Sequence, residues 1–337
     1  MSPTLPPRRR VSCPLPVIAL AALCACAVAQ ASDAPAPVHA LDEVVVSAHR
    51  YDRRTLEQVI VPRFVQSHTT ASPVISQIGR WQQKVCPEVT GLKPEFARRV
   101  EQRLVEVARG VGAPAPTPAD GECGINIEVV FTPEPQKLLD HIARDYGGLL
   151  GFHYRGQTRQ VASFHGPIQA WYVTGTRSMN GYTPPVAGLS GGQSGFSNPN
   201  APFNTGLQVD SANRFGGGTL GPSGTAGSHL GEGLRSEFVH VLVVADNRIV
   251  ASHPLGAIAD YVSMLALTHL SALNGCSELP SIVDLFSSGC QERPKPESIT
   301  TADSAFLQAL YGADLEPKLN IERGEMRNRM LAVLEQH

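Results

Sequence analysis

Between Gly175 and Gly233 the chain holds 15 glycines and only four charges, Arg177, Asp210, Arg214 and Glu232, in 59 positions. Asn, Ser and Thr fill much of the remainder. Such a stretch lacks the apolar side chains whose burial offsets chain entropy, so it cannot contribute a core. Any domain must therefore be assembled from what precedes and follows it, with 175–233 as a long, disordered Gly-rich insertion. A glycine-rich phosphate loop would need a strand before it and a helix after it, and neither pattern is visible here. The organisation expected is one globular domain over residues 59–337, interrupted at 175–233.

The flanks carry the ordered patterns. Ile78, Trp81 and Val85 sit at helical spacing ahead of Cys86-Pro87. Lys93-Pro94-Glu95 opens an amphipathic helix with Phe96, Val100, Leu104 and Val107 on its apolar face. Arg98, Arg99, Glu101, Gln102 and Arg103 lie largely on its other face, read as solvated surface. Gly110 to Asp120, with three prolines, ends that helix. Cys123 to Phe131 reads as a buried strand through Ile125, Ile127, Val129 and Val130. Pro135 to Tyr146 reads as a second helix with Leu138, Leu139 and Ile142 inward, and Pro167 to Thr174 as a strand carrying Ile168, Trp171 and Val173. Beyond the insertion, Phe238 to Ala245 is a strong strand, Asp246-Asn247 a hairpin turn and Arg248 to Ser252 a returning strand. Gly256 to Leu273 is a helix apolar nearly all round, which belongs inside a domain. Thr300 with Asp303 three residues on is an acidic variant of the capping box. It opens a helix carrying Phe306, Leu307, Leu310 and Tyr311. The fold class expected is α+β, a small sheet with packed helices.

Residues 1–31 read as an export signal. Arg8, Arg9 and Arg10 form a positive start, and Val17 to Val28 an apolar core shorter than the roughly 20 residues of a membrane span. Ala29-Gln30-Ala31 offers a small-x-small cleavage site, and Ala27-Val28-Ala29 a second. Cleavage after residue 31 leaves 306 residues and removes three arginines and no acid, so the net charge of -2 becomes -5. That balance gives no basic field for nucleic acid. Leu23-Cys24-Ala25-Cys26 resembles a bacterial lipobox, a rival reading in which Cys26 carries a lipid anchor. The localisation expected is the periplasm or cell envelope of a Gram-negative bacterium. The mature chain keeps four cysteines, Cys86, Cys123, Cys276 and Cys290. An even number in an oxidising compartment argues for two disulfides. Three pairings exist, and proximity in sequence favours Cys86–Cys123 with Cys276–Cys290.

Residues 32–58 read as an N-terminal tether. Within it, Leu41-Asp42-Glu43-Val44-Val45-Val46-Ser47-Ala48 resembles the TonB box of TonB-dependent outer-membrane receptors. Such a segment adds a strand to a partner's sheet edge, so residues 41–48 imply a TonB-like partner. The bland reading is a short strand or a sticky tail. The chain has no room for the barrel of such a receptor.

The block from Ala259 to Gly312 resembles the metal-binding segment of metzincin-type zinc peptidases, the matrixins especially. Their pattern runs H-E-x-x-H-x-x-G-x-x-H, a methionine turn, then L-T-x-x-D and a helix ending L-Y-G. Here Ala259-Asp260-Tyr261-Val262-Ser263 begins a run ending at His269. Pro280-Ser281-Ile282-Val283, Ile299-Thr300-Thr301-Ala302-Asp303 and Ala309-Leu310-Tyr311-Gly312 follow in the family's order. The resemblance implies a zincin-like fold, but Ala259 and Ser263 replace two zinc histidines. Asp260 replaces the general-base glutamate, one methylene shorter, Ala266 the turning glycine and Val283 the turn methionine. Only His269 matches a ligand position, and one imidazole cannot hold a catalytic zinc, which takes about three protein ligands.

Nothing else supplies a reaction. His141, His153, His165, His229, His240 and His253 form no close pair at ligand spacing, and no G-x-S-x-G elbow is present. Carboxylate separations are not readable from sequence. The expectation is therefore a non-catalytic binding or interaction module on a degenerate zincin-like scaffold, taking a protein or peptide partner, with no catalytic residue, metal or cofactor. The alternatives are a metallohydrolase or peptidase with unorthodox ligands around His269, and an envelope protein engaging a TonB-like partner.

Overall fold

The computed structural model describes residues 51–72, 76–121, 123–151, 155–178, 234–271, 275–290, 293–314 and 318–336. The export signal, Cys26, the Val44–Val46 segment and residues 179–233 lie outside them. Of the tether, residues 51–58 are described; a helical run starts at Arg53, and Tyr51 and Leu56 pack on the core. That run, α1, comprises one turn at Arg53–Thr55, a π-helical stretch at Leu56–Ile60 and an α-helix at Val61–Ser67.

The protein is α+β. Among the described residues its sheet has four strands, β1 (Pro87–Thr90), β2 (Ile127–Thr132), β3 (Ile168–Ser178) and β4 (Leu234–Asp246), in the order β1-β2-β4-β3. β1, β2 and β4 run parallel, and β3 is the antiparallel edge. β4 is central, which its sequence explains. Val241 to Ala245 are buried on both faces, as a continuous apolar run demands. The base of the insertion is strand rather than loop, because Gly175 to Ser178 pair with Glu237 to Leu234.

Two helices lie against one face, α2 (Pro94–Gly110) and α4 (Leu255–Leu267). Pro94 occupies the first helical position of α2, where its missing N–H costs nothing. Ala97, Val100, Leu104, Val107 and Ala108 face inward. Phe96 does not: it is exposed, and Ala97 takes the inward place expected of it. From Ala257 to Leu267 every residue of α4 is buried, which accounts for its lack of a polar face. The other sheet face is covered by α3 (Pro135–Asp145) and the turn Gly147–Leu150, through Leu138, Leu139, Ile142, Leu149 and Leu150. Two more helices complete the core, α5 (Thr301–Gly312) and α6 (Leu319–Leu334).

Three local expectations are corrected. Ile78, Trp81 and Val85 are buried but not helical. Arg80 bridges to Glu237, its carbonyl accepts from Phe238 N, and Trp81 Nε1 donates to Ala266 O at 2.8 Å. The backbone is thus committed to β4. No strand returns after β4, because β2 and β3 already occupy both of its edges. Asp246 instead caps a short helix, Asn247–Val250, its Oδ1 accepting from Arg248 N at 3.0 Å. Finally, α4 stops at Leu267 rather than running to Leu273. Thr268 is extended and its hydroxyl donates to His68 O.

Both favoured cysteine pairs are joined: Cys86 with Cys123, and Cys276 with Cys290, at Cα separations of 5.9 and 5.3 Å.

Candidate functional site

α4 carries Ala259, Asp260 and Ser263, exposed by only 1%, 2% and 0%. Ser263 Oγ turns back along the helix to Ala259 O at 2.7 Å, a local bond that takes up its one hydrogen. Asp260 points at α2. Arg103 Nε reaches its Oδ1 at 2.5 Å and Nη2 its Oδ2 at 3.2 Å, and Ile299 N donates to Oδ2 at 2.9 Å. Arg103, read from sequence as surface, is thus half of a fork-to-carboxylate pair between helices. Its bond to Asp260 raises the guanidinium pKa.

His269 lies past the end of α4 and faces β3. Its ring stacks on Tyr172, with centroids 4.1 Å apart and 22° between planes. Burial lowers its pKa to about 4, so the ring is neutral at pH 7. Tyr172 is fixed in turn, its hydroxyl donating to Leu265 O at 2.8 Å. Among the described residues no hydrogen bond or ring contact joins His269 to Ala259, Asp260 or Ser263.

The segment after α1 closes over this end of α4. Thr70 N donates to His269 O, and Ser271 N to Ser67 O. Behind it lies a polar row that sequence reading missed. Ser281 Oγ donates to Asp303 Oδ1 at 2.5 Å, while His68 Nε2 stands 3.5 Å from that hydroxyl. Asp303 Oδ2 also accepts from Ile282 N and Thr300 N. Burial pushes Asp303 up to about 6 and His68 down to about 4. The row contains the residue types of a serine hydrolase in the wrong order: the acid holds the hydroxyl instead of orienting the imidazole. His68 is stacked on Phe64 with its Nδ1 on Phe64 O, and all three side chains are buried. The row is a latch between the turn Ile282–Phe286 and α5. Only its Thr300–Asp303 capping box was legible beforehand.

Among the described residues, three donors standing within 4.8 Å of one another occur at Cys276, Asp284 and Cys290. The two sulfurs are bonded to each other and so are not thiolate ligands. A surface groove of about 390 Å³ runs between α1 and α6, away from α4, and Arg53 there already pairs with Glu57 and Glu335. No described helix is long and apolar enough to cross a membrane. Compared with family models, with curated proteins and with solved structures, the chain finds no match in any of the three.

Proposed function

We propose that this is an exported, disulfide-bonded interaction module of the bacterial envelope or periplasm, built on a zincin-like scaffold that has no catalytic centre. The observation that carries the reading is the state of Asp260. A general base needs a lone pair free to face substrate and water. Asp260 is 2% exposed, and its carboxylate accepts from Arg103 and from Ile299 N. Ala259 and Ser263 offer no nitrogen where two imidazoles would be needed. The rest of the framework supports the resemblance: α4, the turn Ile282–Phe286, the capping box at Thr300 and the Leu310-Tyr311-Gly312 end of α5 follow the family's order.

Since residues 67–71 close over the end of α4, the protein or peptide partner meets some other surface. The Val44–Val46 segment is the first to test. Deleting 32–50 spares Tyr51 and Leu56, which pack on the core, and removes pull-down of a purified TonB-like partner if that segment is the contact. The catalytic question is settled with the oxidised mature protein, a mixed peptide library and added zinc. No cleavage above blank is expected. Cleavage that a chelator and His269→Ala both abolish would overturn the reading.

A further inference from the structure

On the sheet face away from α4, one half is polar. Strand alternation puts Glu128 beside Val130, on the face where Leu242, Val244 and Trp171 meet α3. Register places Glu88 opposite Glu128 on β1 and Val173 opposite His240 on β4. Glu88, Glu128 and His240 therefore share that face on three neighbouring strands, where the ladder between β2 and β4 begins.

The pair at its centre is desolvated. The side chains of His240 and Glu128 are 7% and 6% exposed, with Nε2 and Oε1 3.7 Å apart. Among the described residues neither ring nitrogen of His240 has a hydrogen-bond partner. Buried polar atoms are nearly always satisfied, and the exceptions call for a reason. Charge adds to the case. Glu88 and Glu128 stand opposite each other on β1 and β2, two carboxylates side by side on one face. Among the described residues no lysine or arginine pairs with Glu88 or Glu128.

We propose that Glu128, His240 and Glu88 bind a divalent transition-metal ion of the zinc class. Two donors about 2.1 Å from one tetrahedral ion stand about 3.4 Å apart, so Nε2 and Oε1 are near that spacing already. Glu88 is the third donor. It is half-buried on the strand next to that of Glu128, about 4.8 Å away, and its carboxylate does not stand close to both other donors as placed, so it joins the ion by a rotamer change. The ion neutralises the carboxylates and gives the imidazole the partner it lacks. It lies on the opposite sheet face from α4, so the absence of a catalytic centre there is independent of it.

The test is calorimetric titration of Zn²⁺ into tag-free mature protein, oxidised so that Cys276 and Cys290 offer no thiol. One ion per chain is expected, together with a zinc-dependent rise in Tm. Loss of even a supporting partner costs a metal site about 10–100-fold in affinity, so Glu128→Gln and His240→Ala should each lose at least that much. Glu128→Gln keeps shape and volume, so its loss of binding at unchanged far-ultraviolet circular dichroism separates ligand loss from unfolding. Glu88→Gln should weaken binding less. No saturable binding, or binding equal in wild type and Glu128→Gln, would show a plain carboxylate–imidazole pair and overturn the proposal.

Discussion

Asp260 and Glu128 are both buried carboxylates beside a basic group, on opposite faces of the same sheet, and their surroundings differ. Asp260 accepts from a guanidinium fork and a backbone N–H, so its oxygens are matched as a closed unit. Glu128 faces an imidazole at 3.7 Å whose two nitrogens have no hydrogen-bond partner among the described residues. Burial of a charge is tolerable when pairing and hydrogen bonds replace water, and costly when they do not. The α4 pair is therefore architecture, in the place where the resemblance would put a catalytic base. The β2–β4 pair is architecture left incomplete.

The largest effect should come from breaking the complete pair. Arg103→Ala leaves Asp260 buried with its guanidinium removed, and loss of one partner from such a pair costs about 3–5 kcal/mol. Arg103 is itself 40% exposed, so the lower end is expected. Urea unfolding measures it, and Asp260→Ala in the same chain should restore part of the loss. A loss under about 1 kcal/mol would mean that α2 and α4 are held by apolar contacts alone.

Next is the Cys276–Cys290 link. It lies beside the turn that Asp303 latches, on the chain leading to Ile299, whose N–H serves Asp260. With a sequence separation of 14, removing it by paired Cys→Ser changes should lower stability by about 3 kcal/mol in the chain-entropy model. The change should leave zinc affinity at Glu128 alone. Equal damage at both sites would show that the two faces are not independent.

The contrast also explains what could be read beforehand. The disulfides were legible because Cys86, Cys123, Cys276 and Cys290 allow only three pairings, and the one joining sequence neighbours is the one formed. α4 and the Thr300–Asp303 cap were legible because an apolar run and a three-residue box are local signals. Arg103 was not, since its partner is 157 residues away and an arginine on a polar helix face looks solvated. Asp246-Asn247 looked like a hairpin because the occupied edges of β4 are a tertiary fact. His240 had no mate at i+4 spacing, and its companions are set by sheet register. The latch at Ser281 needs His68 from just past α1 and Asp303 from α5, and no local pattern joins them.

Acid should expose a smaller difference. His68 and His269 have folded pKa values of about 4 against 6.5 unfolded. Below pH 6.5 the unfolded chain takes up protons that the fold refuses, so stability falls as pH drops toward 4. Asp303 opposes this. Its folded value of about 6 exceeds 3.8, so the fold holds a proton there, and that contribution is lost as pH rises through 6. Two histidines against one carboxylate leave a net loss of about 1 kcal/mol per pH unit between 6 and 4. Asp303→Asn removes the opposing group and should steepen the slope about twofold. Urea midpoints at pH 4.5, 5.5 and 6.5 decide it, and a flat profile in Asp303→Asn would mean that both rings are charged inside the fold.

The smallest effect should be at the incomplete pair. Glu128→Leu with His240→Leu replaces two desolvated polar groups by apolar ones of similar size. Such exchanges are neutral or stabilising when the polar pair is poorly matched. In metal-free buffer the double variant should lie within about 1 kcal/mol of wild type or above it, whereas Arg103→Ala falls well below. A polar pair that lowers the stability of its own sheet, and that two leucines would improve, is hard to explain by packing. Its presence between β2 and β4 then has to come from what it binds. If the leucines instead cost more than about 2 kcal/mol without metal, the pair is as well matched as Asp260 and Arg103, and the difference between the two faces disappears.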